Sequence, residues 1–271
     1  TRVIGPLRPG GLGSIAPGVA LMLGASVAPA ENSDLIPTDR PSHSNSTQTV
    51  PFGAVQIESG VDYSRSRVSH GQTQQQLLLD ILFRTGITSR VEARLDINPV
   101  VWLKDADTDV GFGDVTVAVK YRFFDSQEGS WWPSLGVLPF VKIPSARSPI
   151  GSERVDIGCT GLATFDLPWQ LGLDLNVGLA GIGQSEGAYF LLQETVSASL
   201  SRQITDRFAA YGELFYASPS ERHTRDVVGF DAGVQYLILP QVVIDMAAQV
   251  ARGTPGPDFA ITAGLSFRFG L

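Results

Sequence analysis

"GFGDVTVAVKYRFF", residues 111–124, has two faces. Asp114, Thr116, Lys120 and Arg122 alternate with Val115, Val117, Val119, Tyr121 and Phe123. A period of two is the signature of a strand, whose successive side chains leave opposite sides of the sheet. In a soluble sheet the apolar set would meet a core and the charged set water. In a membrane barrel the arrangement inverts, with the apolar set on lipid and the charged set on an enclosed lumen. The choice between these two decides the fold.

The rest of the chain favours inversion. Alternating stretches recur near 54–66, 74–84, 89–98, 112–124, 132–143, 154–166, 170–181, 189–202, 207–217, 226–237, 241–250 and 258–270. Most are as long as the roughly 9–11 residues a tilted transmembrane strand requires, whereas soluble strands more often run to about five or six. Short links such as "TGITS" (85–89), "LPWQ" (167–170), "QITDR" (203–207) and "ILPQ" (238–241) alternate with longer ones such as "VVWLKDADTDVG" and "SPSERHTRD". Short periplasmic turns and longer outer loops are the expected asymmetry of an outer-membrane barrel. Aromatic side chains including Phe123, Phe124, Trp131, Trp132, Trp169, Tyr236 and Phe269 fall next to the short links and would form one interfacial girdle. Tyr63, Trp102, Phe112, Tyr189, Tyr216 and Phe259 fall toward the long links and would form the other.

The expected architecture is therefore an all-β chain: a transmembrane antiparallel β-barrel of about twelve strands over 54–271, preceded by an irregular segment at 31–53. Charged residues make up 17% of the 271, below the roughly 25% of soluble domains. Arg2 and Arg8 precede "SIAPGVALMLGASVAPA", which ends in the small-x-small site Ala28-Pro29-Ala30, so residues 1–30 read as a signal peptide directing export to the bacterial outer membrane. The final strand, "DFAITAGLSFRFGL", resembles the C-terminal signature recognised by the barrel assembly machinery, with Leu271 where Phe is usual. A net charge of −7 with no basic block excludes nucleic acid as a partner. The expected partners are outer-membrane lipid and a small-molecule solute.

If lipid lies outside, the opposite residues line the lumen. Basic side chains then gather on one wall, Arg90, Arg94, Lys120, Arg122 and Lys142, and acidic ones on another, Asp156, Asp174, Glu213, Asp231 and Asp245. Leu78, Leu138, Phe140, Leu162, Tyr211, Phe215, Val227 and Val243 share that inner face. Charge beside an apolar strip suits small amphipathic or aromatic solutes, and passive diffusion needs no cofactor. The alternative is a closed lumen in a structural or surface-interaction barrel.

Catalysis finds no support. The three histidines, His43, His70 and His223, lie in the lead-in or in outer loops, and Ser220, His223 and Asp226 share a stretch of ordinary loop composition. No metal-ligand spacing, phosphate loop or nucleotide fingerprint is present. Cys159 has no internal partner and reads as a small buried hydrophobe.

"TDRPS" (38–42), "VPFGAVQIESG" (50–60), "GFGDVTVAVKYRFF" and Pro139 together resemble the outer-membrane transporter family named for the meta-pathway of phenol degradation. The resemblance implies an outer-membrane barrel concerned with uptake of aromatic or other hydrophobic compounds, and it brings no catalytic residues. Asp39 and Arg40, held between Pro37 and Pro41, are the expected plug, folding into the periplasmic mouth to pair with Arg90 or Glu58.

Overall fold

The computed structural model describes residues 36–67, 73–127, 129–184, 187, 189–254 and 256–270. The proposed signal peptide, His70 and Leu271 lie outside the described residues. The strands are β1 (Val55–Arg67), β2 (Thr73–Gly86), β3 (Val91–Lys104), β4 (Thr108–Gly111), β5 (Val115–Phe124), β6 (Ser134–Ile143), β7 (Asp156–Leu167), β8 (Leu171–Gly183), β9 (Phe190–Thr205), β10 (Phe208–Ala217), β11 (Arg225–Leu239), β12 (Val242–Thr254) and β13 (Phe259–Phe269).

Each strand pairs antiparallel with its neighbours in chain order, and β1 returns to β13 in register from Val55↔Phe269 to Arg65↔Phe259. β4 pairs only with the end of β3, whose first half pairs with β5. The barrel wall therefore has twelve strands, with β4 as a short side ribbon. Closure leaves no unpaired edge, the condition for a sheet to exist within hydrocarbon. Among the described residues no helix is long and apolar enough to cross a membrane.

The stretch that posed the question now answers it. Val119 is 41% exposed and Lys120, its neighbour, 0%. Val117, Tyr121 and Phe123 face out with Val119, while Thr116 and Ala118 are buried with Lys120. The same inversion runs around the wall, with Leu175, Val177, Leu192, Leu214, Val228, Met246 and Ile261 exposed. So continuous an apolar surface is not compatible with water and suits lipid.

Both aromatic belts are present. Trp131 and Trp132 stack with centroids 4.5 Å apart, and with Phe124, Trp169, Tyr236 and Phe269 they stand exposed around one rim. Phe112, Phe190 and Phe259 stand exposed toward the other. The first rim carries the tight links 87–90, 168–170, 206–207 and 240–241, plus the longer 125–133; the second carries 144–155 and 218–224. Cys159 corrects the expectation of burial, because it faces outward among the lipid-facing side chains and is exposed.

Candidate functional site

The lumen contains a segment of the chain itself. Residues 36–50 are almost wholly buried: Asp39, Ser42, Ser44 and Ser46 at 0%. Both ends of the segment lie at the short-link rim. Ile36 packs on Leu237 and Val243 beside the 240–241 turn, and Val50 N–H donates to Glu92 Oε2 at 2.7 Å near the start of β3. Between these ends the chain rises to mid-barrel. There His43 N–H donates to Glu213 Oε2 at 2.7 Å, the Ser44 hydroxyl, which donates to Glu213, accepts from Ser197 Oγ at 2.8 Å, and Asn45 exchanges two hydrogen bonds with the Asn176 amide at 2.6 and 2.8 Å. The last pair imitates a backbone ladder, so an irregular segment can be buried without leaving its peptide groups unpaired.

Two adjacent residues of opposite charge anchor the segment. The Asp39 carboxylate lies 2.6 Å from Arg94 Nη1, 3.1 Å from Lys120 Nζ and 3.2 Å from Arg84 Nη1. Glu58 accepts the N–H groups of Asp39 and Arg40 at 2.8 and 2.9 Å. Arg84 in turn grips Glu92 through Nε at 2.8 Å and Nη2 at 2.9 Å, and reaches Glu58 at 2.7 Å. Burial pushes the Asp39 carboxyl upward, but Arg84, Lys120 and Arg94 outweigh it and hold the group below the ordinary carboxylate range.

Arg40 points the other way, into Asp80 at 3.2 Å and Asp62 and Asp245 at 3.6 Å each, and donates to Thr262 Oγ1. Gly60 and Gly264 face each other across β1 and β13, and a Cβ on either would collide with the Arg40 guanidinium. Their missing side chains are what admit it.

The residues expected on the basic wall separate into three places. Arg94 and Lys120 hold Asp39. Lys142 pairs instead with Asp156 at 2.6 Å and Asp114 at 3.2 Å, toward the long-loop rim. Arg90 is not on the lumen wall: it lies in the 87–90 link, 52% exposed, paired with Asp125 at 2.5 Å. Arg122 joins it there, 2.6 Å from the same carboxylate. The lead-in passes close to this link, where Thr49 Oγ1 donates to Ser89 O at 3.1 Å, but it brings no carboxylate there, so Asp125 on the rim is the partner of both. The lead-in pairs with Glu58 and not with Arg90.

On the acidic side, Glu213 accepts from His43 and Ser44, and Asp245 faces Arg40. Asp231 lies 3.7 Å from His43 Nε2. Asp174 accepts from Thr164 Oγ1 at 2.6 Å, and that hydroxyl oxygen accepts Thr47 N–H at 2.9 Å. Asp156 alone of this set serves Lys142 instead. Of the apolar inner-face residues, Leu138, Phe140, Leu162, Tyr211, Phe215, Val227 and Val243 are buried, while Leu78 is only half-buried.

Sequence reasoning missed Arg84, Asp62 and Asp80. Arg84 ends "LLLDILFR", where leucines on both faces hide the alternation, yet counting by twos from Gln74 reaches it.

A family described as "Putative MetA-pathway of phenol degradation" matches residues 38–269. The chain belongs to that family. The match takes in both the Asp39-Arg40 pair and every strand of the barrel. No curated protein matches the chain. Among solved structures, it is similar to an outer membrane channel from Pseudomonas putida F1 at 10% identity and TM-score 0.68, covering 82% of this chain and 98% of that one. It is also similar to the NanC porin at 14% identity and TM-score 0.51, covering 79% and 98%. A third likeness is to the β domain of the Bordetella autotransporter BrkA, at 12% identity and TM-score 0.53, covering 79% and 98%. Identities this low establish a shared barrel fold, the fold of outer-membrane proteins.

Proposed function

We propose that this family member is an outer-membrane channel for passive diffusion of small solutes, aromatic and other hydrophobic compounds among them, and that residues 36–50 plug it from the periplasmic side. One observation carries the reading. The plug reaches side chains of β1, β2, β3, β5 and β7 through β13 by hydrogen bonds and ion pairs, with apolar contacts where Ile36 meets Leu237 and Val243 and the His43 ring meets Phe215. Polar contacts can be exchanged for water one at a time, whereas an apolar core would have to be exposed at a large cost in free energy. The short-link rim, where both plug ends lie, is the periplasmic rim by the usual asymmetry of outer-membrane barrels. The solved channels and porins of similar fold support the same reading.

Deleting residues 36–50 should raise single-channel conductance in planar bilayers several-fold and let liposomes swell in solutes that the parent excludes. Unchanged conductance would remove the gate. The same burial favours a second reading, a permanently closed structural barrel. In that case the parent protein passes no solute in the swelling assay under any condition.

A further inference from the structure

We propose that Arg84, Arg94 and Lys120 form a binding site for the carboxylate of a solute with an apolar body, and that Asp39 is the built-in occupant of that site. The proposal rests on the channel reading and names the class of solute.

Charge balance is the first argument. On the wall itself the carboxylates within 4 Å of these cations are Glu58 and Glu92, both on the arginines, and all five side chains are at most 4% exposed. The third carboxylate, Asp39, comes from the plug. Withdrawing Asp39 leaves Lys120 without an ion-pair partner within 4 Å among the described residues, a place that an incoming carboxylate can take.

Donor geometry is the second. Lys120 Nζ reaches both oxygens of Asp39, at 3.1 and 3.3 Å, and Arg94 Nη1 reaches one of them. Arg94 Nη2 is buried and has no hydrogen-bond partner among the described residues. The nest thus holds an open guanidinium donor beside a bound carboxylate, and a forked guanidinium is suited to planar two-oxygen acceptors.

The surroundings define the rest of the ligand. Ala118, two residues before Lys120 on the same face of β5, belongs to a buried cluster with Leu138, Phe140, Leu162, Ala180 and Ile182. A carboxylate seated on Lys120 would have this apolar wall beside its carbon skeleton. On the other side Asp62, Asp80 and Asp245 surround Arg40 and repel a second anionic group. The site therefore selects monocarboxylates with a hydrocarbon or aromatic body over dicarboxylates and over neutral solutes.

The test compares benzoate with benzyl alcohol by isothermal titration of the full protein in detergent. Asp39→Ala should bind benzoate at least about tenfold more tightly than the parent, a gap of about 1.4 kcal/mol, with benzyl alcohol unchanged. Adding Lys120→Met should abolish the gain. Equal benzoate affinity in parent and Asp39→Ala, or an equal gain for benzyl alcohol, overturns the proposal. A second measurement does not depend on Asp39→Ala folding. With Ser42→Cys placed in a Cys159→Ser background, benzoate should accelerate maleimide labelling of the buried thiol several-fold where benzyl alcohol and chloride do not. Identical labelling rates overturn the proposal as well. Binding is read in micelles and passage in liposomes, so benzoate binding without any solute passage would sink the channel reading while the site stands.

Discussion

On β2, β3 and β5 the lumen buries Arg84, Arg94 and Lys120 at 0–4% exposure, while on β6, β7 and β8 it buries Leu138, Phe140, Leu162 and Ile182 at 2–6%. By accessibility alone the two walls are alike. They differ in what completes them. The apolar wall has its own members packed on one another and supplies the plug with no ion-pair partner among the described residues. The charged wall is finished only when Asp39 arrives from outside the sheet. A barrel interior can thus be filled in one part by packing within the wall and in another by a segment brought in from outside the sheet.

Breaking the charged wall should have the larger effect. Arg84→Ala leaves Asp39, Glu58 and Glu92 without their shared cation and should lower stability by about 3–5 kcal/mol, the range for removing one partner of a buried pair. It should also raise conductance, because the latch on the plug is weakened. Urea unfolding of the refolded barrel and bilayer recordings read the two effects. A loss below about 1 kcal/mol would mean that lumen water already solvates these charges. Leu162→Ala on the apolar wall should cost roughly 2–5 kcal/mol, toward the lower end if water from the lumen can fill the hole. Conductance should change less than for Arg84→Ala, since among the described residues no hydrogen bond or ion pair ties Leu162 to the plug, although its cross-strand neighbour Asn176 is bonded to Asn45. An increase as large would show that the two walls are coupled.

The barrel was legible in the sequence because lipid enforces the alternation. Each outward side chain must be apolar whatever its neighbours do, so strands such as 207–217 and 241–250 fall close to Phe208–Ala217 and Val242–Thr254. Asp39 and Glu58 could be linked in advance because both stand in the short stretches that carry the family resemblance. The remainder of the lumen was less legible. Which cation an inner carboxylate meets depends on depth along the barrel and on the plug's path, and alternation encodes neither. Arg90 has the parity of a lumen residue but lies in the 87–90 link, where the sheet has ended. Residues 41–47 offer Ser, Asn and Thr in no period, because apart from Ser44 N–H on Ser42 Oγ their partners come from several strands, β7 to β10 among them.

Arg90 supplies the smallest predicted effect and separates rim from lumen. Its partner Asp125 is 40% exposed and keeps Arg122 at 2.6 Å when Arg90 is gone. Truncation therefore orphans no charge, and water replaces the lost contact on both sides. Arg90→Ala should cost about 0–1 kcal/mol and the cost should shrink as salt is raised, as for other exposed pairs. Conductance and ion selectivity should match the parent at every salt concentration, because among the described residues no side-chain hydrogen bond or ion pair links Arg90 to the plug or to the Asp39 nest. A clear selectivity shift would put Arg90 back on the conducting path and place the mouth of the pore, not its middle, in control of which ions pass.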